Sequence, residues 1–457
     1  MADAYDCIII GSGPGGYVAA IRAAQLGMSV AVVEREDTVG GRCLNYACIP
    51  AKAVLRCADA VSEIAHAAEF GITVSEPTID FSAVGDRRRK VVSTLTGGVS
   101  QLMKKNKVEV IHGEGSLTAA GEVEVAGRTL TASKAVILAT GSVKRPLPGT
   151  EFGGRVIGTE EAWQLDELPK SLVVAGAGAS GSEIASAYVR LGADVKLFEG
   201  LERVVPSEDA DISKIVARGF KKQGIDVHTS TFVTDVVSGD DKVTFTYGEE
   251  QGEADWFVIA AGRGPDVAAL GLDAAGIELT EQGLIKVDGR MRTNKDKIYA
   301  IGDLVPGPAL AHKASDEGVI AAEDAAGLAT HPISYIDIPR ATFCTPNVAS
   351  FGLTEAQAKE AGHDVVVGKV PYGAVGAPIV YGDNAGIVKI VGDKKYGELL
   401  GGHIVGAKAT ELVQELVNAQ ALEGGYPEVA RMIHGHPTFS EAVMEAARAA
   451  DGWLIHG

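Results

Sequence analysis

Cysteine is scarce, at five in 457 residues. So few cannot form a secreted disulfide framework, so the chain is expected to work in the cytoplasm, with any paired cysteines cycling rather than stapling. Long apolar runs are also missing. No segment approaches the length that spans a bilayer, and the opening MADAYDCIIIG runs straight into a strand pattern, so neither a membrane anchor nor a leader peptide is expected. Positive charge is in deficit, with 42 Lys and Arg against 60 Asp and Glu, a formal net charge of -18. Without a basic stripe, neither nucleic acid nor an anionic membrane is expected as the main partner.

What is present reads as a globular enzyme, with 46% hydrophobic and 22% charged residues. A prior of roughly 150 residues per domain gives about three domains. The 57 glycines fall in short runs after apolar segments, where nucleotide-binding turns occur.

The first such run follows YDCIII. GSGPGG leads into the helical pattern YVAAIRAAQLGMSV, and AVVE then closes a second strand on Glu34. Gly11 permits the tight turn, Gly13 lets backbone approach a pyrophosphate, and Gly16 lets helix and sheet pack closely. The helix N-terminus favours phosphate charge, while Glu34 can accept a ribose hydroxyl. One GxGxxG is a weak signal, since turns use glycine for steric reasons alone. Here the unit recurs: SLVVAGAGASGSEIASAYVRLGADVKLFE carries Gly176, Gly178 and Gly181, with Glu199 ending its second strand. Repetition in the same strand–turn–helix–strand–acid context indicates two dinucleotide sites. A carboxylate at Glu199 repels a 2′-phosphate, and nearby Arg203 reads as a loop residue, so this second site favours NAD over NADP.

GGRCLNYACIPAK places Cys43 and Cys48 five apart. In a regular helix such positions are too far apart for disulfide geometry, so pairing requires a distortion at a helix start. Pro50 fits a first turn, and a cysteine near a helix N-terminus with Lys52 at hand is biased toward thiolate. Two unrelated half-buried thiols are the plainer reading. Cys7, Cys57 and Cys344 sit in apolar patterns and read as core residues. Near the C-terminus, HGHPTFSE carries His436 and Glu441. Neutral imidazole suits proton removal from a thiol near pH 7, and a carboxylate behind the ring fixes its tautomer. His434 is the rival; the two histidines could be metal ligands, but no third ligand accompanies them, and a histidine merely satisfied at a helix start is the other alternative.

The cysteine segment resembles the GGTCLNVGCIPSK signature of the class I pyridine nucleotide-disulfide oxidoreductases, and the likeness runs over nearly the whole chain. It takes in ATGS (Ala139 to Ser142), AAGRGPD (Ala260 to Asp266), IYAIGD (Ile298 to Asp303) and HGHPTFSE. Within that family the resemblance is greatest to the dihydrolipoamide-oxidising branch. It implies an α/β fold class, with two Rossmann-like dinucleotide-binding domains for FAD and NAD plus a C-terminal α+β dimerisation domain. FAD would take residues 1–148 and 269–340, NAD 149–268, and the interface domain 341–457. Gly115, Gly141, Asp303 and the helix beginning near Ala311 would join the FAD site, and Gly262 and Arg263 the NAD site. Lys52 would sit by the flavin and pair with Glu183. Cys48 would contact the flavin, Cys43 would exchange with substrate, and His436, backed by Glu441, would serve the disulfide of the other subunit of a homodimer. The implied substrate is the dihydrolipoyl group of a protein in a 2-oxo acid dehydrogenase or related complex.

The first departures cluster around the disulfide, where they bear on its potential and flavin contact, and others fall in the NAD turn and the interface domain. Arg42, Tyr46-Ala47 and Ala51 replace the usual Thr, Val-Gly and Ser, Ala179-Ser180 replace larger apolar residues, and PYGAVGAPIVYGD lacks an expected Asn-x-Arg-Ala pattern. A specialised paralogue serving a different lipoyl protein fits these changes. Competing readings are an NADH-dependent low-molecular-weight disulfide reductase, opposed in its NADP-linked form by Glu199, and a non-catalytic flavoprotein subunit of a dehydrogenase complex. Mercuric and large thioredoxin reductases use extra C-terminal cysteines, which the tail DGWLIHG lacks, and a soluble transhydrogenase is disfavoured by the presence of both Cys43 and Cys48. From Glu199, kcat/KM for NADH is expected to exceed that for NADPH by orders of magnitude, and steady-state kinetics giving comparable values would remove the NAD assignment.

Overall fold

The structure, a computed structural model, describes residues 3–457; Met1 and Ala2, the start of the segment expected to open without a leader, lie outside the described residues. The chain divides into two compact units, each drawn from separated stretches of sequence.

The first unit contains the chain up to Ala53, Ser82–Arg145 and Gly262–Tyr335. Its sheet runs in the order Glu109–His112, Val30–Glu34, Asp3–Ile10 and Arg128–Leu138, with Ile298–Ala300 on the far half of the last strand, all parallel. An antiparallel hairpin, Ser116–Leu117 with Val123–Val125, uses the near half. Both faces of the parallel strands are buried, which is why they read as unbroken apolar runs. Cys7 and Ile9 point into one core with Val30, Val32 and Ile137, while Ile8 and Ile10 join Ala31, Val33 and Leu138 in the other. The helices Pro14–Gln25 and Ala311–Ala325 cross closely, because glycine stands at each contact. A Cβ on Gly15 would lie 2.8 Å from the Ala314 carbonyl oxygen, and one on Gly318 would lie 2.5 Å from that of Gly15.

The second unit contains Val54–Phe81, Pro146–Ala261 and Ile336–Gly457. A parallel sheet, ordered Asp226–His228, Asp194–Phe198, Ser171–Ala175, Trp256–Ile259 and Val156–Gly158, repeats the strand–turn–helix design. Phe198, Phe245 and Phe257 fill the core between it and a three-stranded antiparallel layer. The C-terminal part is a five-stranded antiparallel sheet, Arg340–Thr342, Val348–Gly352, Glu398–Val405, Ile387–Asp393 and Val365–Pro371 in that order. The amphipathic stretch from Thr410 forms the helix Ala409–Ala421 and buries Val413 and Leu416 in the core over this sheet, as its spacing predicts.

Within this unit one buried cation joins three elements. Lys389, on a central strand of the antiparallel sheet and 3% exposed, bonds Asp209 at 2.9 Å, Asp211 at 3.0 Å and Glu355 at 2.8 Å. Asp209 caps the helix Ala210–Gln223, and Glu355 opens the helix Glu355–Glu360. Burial alone would raise Asp211, but Lys389 holds it below the ordinary carboxylate range; Lys359 and then Lys389 do the same for Glu355. Replacing Lys389 by Met strands these carboxylates and is expected to cost about 3 kcal/mol or more in a denaturant titration at neutral pH. The wild-type ion pairs are fully formed above the unfolded carboxylate values near ~4 and are lost as pH falls through the depressed ones. Below that range the deficit of Lys389→Met should therefore shrink.

Candidate active site

Two glycine turns are built alike, contact for contact. In the first, Gly11 (φ +102°) receives the chain from strand Asp3–Ile10, and a Cβ there would meet the Ala139 carbonyl oxygen at 2.5 Å. No atom lies within 4 Å of where a Cβ on Gly13 would stand, just before the helix Pro14–Gln25, while a Cβ on Gly16 would fall 1.9 Å from the Gly11 carbonyl oxygen. In the second, Gly176 (φ +108°) would meet Ala260 at 2.7 Å, Gly178 is open, and Gly181 would meet Gly176 at 1.8 Å. The outer glycines of each triplet therefore serve the fold, and the middle one leaves space for a guest at a helix N-terminus.

The acids match as well. Glu34 Oε2 accepts the Ser12 N–H at 2.9 Å and Oε1 that of Glu36 at 2.9 Å; Glu199 Oε2 accepts Ala177 N–H at 2.7 Å and Oε1 that of Leu201 at 2.9 Å. Each carboxylate is thereby fixed beside its turn, where a ribose hydroxyl would reach. Open turn, helix terminus and pinned acid together fit a dinucleotide at both places. Arg203 is exposed and bonds the Pro206 carbonyl oxygen, as a loop residue does.

Around the first turn, Gly115 packs against Val33, where a Cβ would stand 2.8 Å from its side chain, and Gly141 (φ +79°) opens onto free space. The Asp303 carboxylate accepts the Ser142 hydroxyl, and that hydroxyl accepts Arg263 Nε at 2.9 Å. Ala311 is the first residue of its 15-residue helix. Gly262 and Arg263 lie in the first unit, where Arg263 joins the Ser142–Asp303 chain. Ser142 belongs to the ATGS motif, and its place as the link between these two charged groups comes from the strand pairing of Ser142–Lys144 with Arg263–Pro265. Glu183, 5% exposed, accepts the Phe343 N–H at 2.9 Å.

The cysteine segment is two helices with a break between them. Cys43 lies in Gly41–Asn45, Cys48 begins Cys48–Ala65, and Tyr46 and Ala47 turn the chain, both N–H groups bonding the Arg42 carbonyl oxygen. The break supplies the distortion that a five-residue spacing requires. The hydrogen bond to Cys48, then burial, push the Cys43 thiol well above the ordinary thiol range, against the pull of Lys52 and Arg42. The thiolate bias read from sequence therefore does not extend to Cys43. Tyr46 also bonds Glu36 at 3.1 Å, a tie that no spacing rule indicates. Cys7 and Cys344 are buried core thiols, as expected, but Cys57 is only partly buried: on its helix it follows exposed Arg56, at the edge of the buried face formed by Val54, Leu55 and Ala58.

The two histidines of HGHPTFSE separate completely. His434, its side chain 6% exposed, bonds Glu415 and the Met432 carbonyl oxygen, and the Glu415 contact raises its pKa. His436 is 75% exposed; its Nδ1 meets Glu441 Oε1 at 2.9 Å, while Glu441 Oε2 accepts the Thr438 N–H at 2.9 Å. Burial would raise Glu441, but Thr438 and His436 hold it below the usual range. The ring is thus fixed with its other nitrogen outward. Among the described residues no three His, Cys, Asp or Glu are grouped to hold a metal, and no helix is long and apolar enough to cross a membrane.

Comparison with known proteins agrees with this arrangement. Residues 5–318 match the pyridine nucleotide-disulphide oxidoreductase family, and 338–447 match its dimerisation domain. The chain is 44% identical to a dihydrolipoyl dehydrogenase of Rhizobium etli over 100% of both chains, and 46% identical to one of Mycobacterium tuberculosis over 99% of both. Among solved structures it is similar to LpdA of M. tuberculosis (TM-score 0.90, 26% identity, 97% of this chain and 99% of that one). It is also similar to the HOCl-induced flavoprotein disulfide reductase RclA of Escherichia coli (TM-score 0.86, 27% identity, 98% and 100%).

The glycine geometry separates folding from binding. Gly178→Val should fold with little change in melting temperature and lose NAD affinity, whereas Gly181→Ala, with no room for its methyl, should lower the melting temperature. Thermal melts paired with NADH titration check both, and the reverse pattern would show that the middle glycine is not facing a ligand.

Proposed function

The chain belongs to the pyridine nucleotide-disulphide oxidoreductase family, and we propose that it oxidises the dihydrolipoyl group of a lipoyl-carrying protein with NAD+ as final acceptor. It is an FAD- and NAD-dependent oxidoreductase, as that family and its dihydrolipoyl dehydrogenase relatives are. The observation that carries the dithiol reading is the hydrogen-bonded Cys43–Cys48 pair at the break between two helices, in a chain 44% and 46% identical to dihydrolipoyl dehydrogenases along its whole length.

Residues 1–148 and 269–340 are assigned to FAD, with Gly11, Gly13 and Gly16 at the pyrophosphate, Glu34 at a ribose, and Gly115, Gly141, Asp303 and the Ala311 helix completing the site. Residues 149–268 are assigned to NAD through Gly176, Gly178, Gly181 and Glu199, and 341–457 to pairing with a second copy. The charge and cysteine content suit the cytoplasm.

His436, with Nδ1 tied to Glu441, takes the proton of a substrate thiol at its outward nitrogen, and Glu441 stabilises the imidazolium that results. The pair it serves is that of the second copy. The substrate thiolate attacks the sulfur of Cys43 in the oxidised pair, the Cys43–Cys48 bond breaks, and its electrons remain on Cys48. The second substrate thiol then displaces Cys43, so substrate leaves as a disulfide and both cysteines are reduced. When bound, FAD supplies the two-electron redox step between the thiol pair and the nicotinamide, which side chains cannot perform.

Anaerobic addition of dihydrolipoamide to the purified yellow protein should raise a long-wavelength absorbance band that NAD+ discharges and that Cys48→Ser lacks. A band raised by NADH but not by dihydrolipoamide would keep the thiol relay and replace the substrate with another disulfide.

A further inference from the structure

Lys313 and Glu317 stand one turn apart on the helix Ala311–Ala325, 3.3 Å between Nζ and Oε1, with both side chains 0% exposed. Such groups are rarely buried so fully, and the attraction between two ions barely repays their removal from water. Stability alone does not account for the pair. What it holds is the backbone at Gly302. Lys313 Nζ donates to the Gly302 carbonyl oxygen at 2.8 Å, and the Gly302 N–H donates to Glu317 Oε2 at 2.7 Å. The Tyr335 hydroxyl donates to Glu317 Oε1 at 2.6 Å, and the Lys313 ammonium lies 5.5 Å from the Tyr335 ring centre. Gly307 leaves the lysine stem its passage, since a Cβ there would come within 2.9 Å of Lys313 Cε. Gly302 has φ +72°, so the turn is sharp, and both peptide groups flanking its Cα are pinned by charge-assisted bonds.

Asp303 follows directly, its carboxylate already engaged by Ser142. We propose that Lys313 and Glu317 are positioning residues for the flavin site: the buried pair fixes the Gly302 peptides so that Asp303 meets the ribityl or pyrophosphate region of FAD at a set place. The inference rests on the assignment of Asp303 to FAD above. An ion pair suits this task better than apolar packing, because each charge is directional toward one backbone group and loss of either leaves the other uncompensated.

Single removals leave an uncompensated buried charge, so the informative protein is the double replacement Lys313→Met/Glu317→Leu, which conserves volume and removes both charges together. FAD release from the holoenzyme is followed by flavin fluorescence after dilution. The double variant leaves the Gly302 N–H and carbonyl and the Tyr335 hydroxyl without these partners, so it should melt lower than wild type but still fold in saturating FAD, and release FAD roughly tenfold faster, the effect of losing one well-placed hydrogen bond to a charged group. In an Asp303→Ala background the same double replacement should add nothing, because its effect passes through that carboxylate. Unchanged release, or equal acceleration with and without Asp303, overturns the proposal. Should the double variant fail to fold, Glu317→Gln is measured in the same way: several-fold faster release that Asp303→Ala abolishes supports the clamp, and unchanged release overturns it. A wild-type protein that bound no FAD would overturn the flavin assignment and the clamp together.

Discussion

A Cβ on Gly16 would stand 1.9 Å from the Gly11 carbonyl oxygen, and one on Gly181 would stand 1.8 Å from that of Gly176. These two backbone contacts let each helix lie directly against the turn that feeds it, and that proximity aims the helix N-terminus at the space beside Gly13 or Gly178. The pinned carboxylates of Glu34 and Glu199 depend on the same placement, since the backbone N–H groups that donate to them come from the turn itself. Move either helix outward by a methyl group and the positive end of its dipole, the acid and the open space no longer converge.

Much of this was legible because it is local. A glycine triplet, the strand before it and the acid after it lie within one stretch of chain, so spacing alone locates the site. The break between Cys43 and Cys48 was foreseeable for the same reason: disulfide geometry and helix pitch are incompatible at five residues. What escaped depends on distant partners. Nothing near Lys389 in sequence announces Asp209, Asp211 and Glu355, and nothing near Arg263 announces Ser142. Cys57 shows the limit of apolar patterning, because a residue at the edge of a buried helical face looks like one at its centre. Tyr46, noted in sequence as a departure, acquires a partner only through the fold that brings Glu36 to it.

The histidines two residues apart in HGHPTFSE make the same point about chemistry. His434 is consumed by Glu415 and by its own loop, and it holds the loop's shape. His436, tied through Nδ1 to Glu441, is mostly exposed. Residue type decides neither role. Which imidazole reaches outward is set by where Glu415 and Glu441 lie on their helices, and Glu441 in turn is oriented by the Thr438 N–H.

The hydrogen bond within the Cys43–Cys48 pair has a further consequence. It makes the pair asymmetric, because the proton on Cys43 is held by its neighbour as well as by burial, while Cys48 opens the following helix. The segment is built like a rectifier rather than a wire, with unlike terminals on either side of one short break.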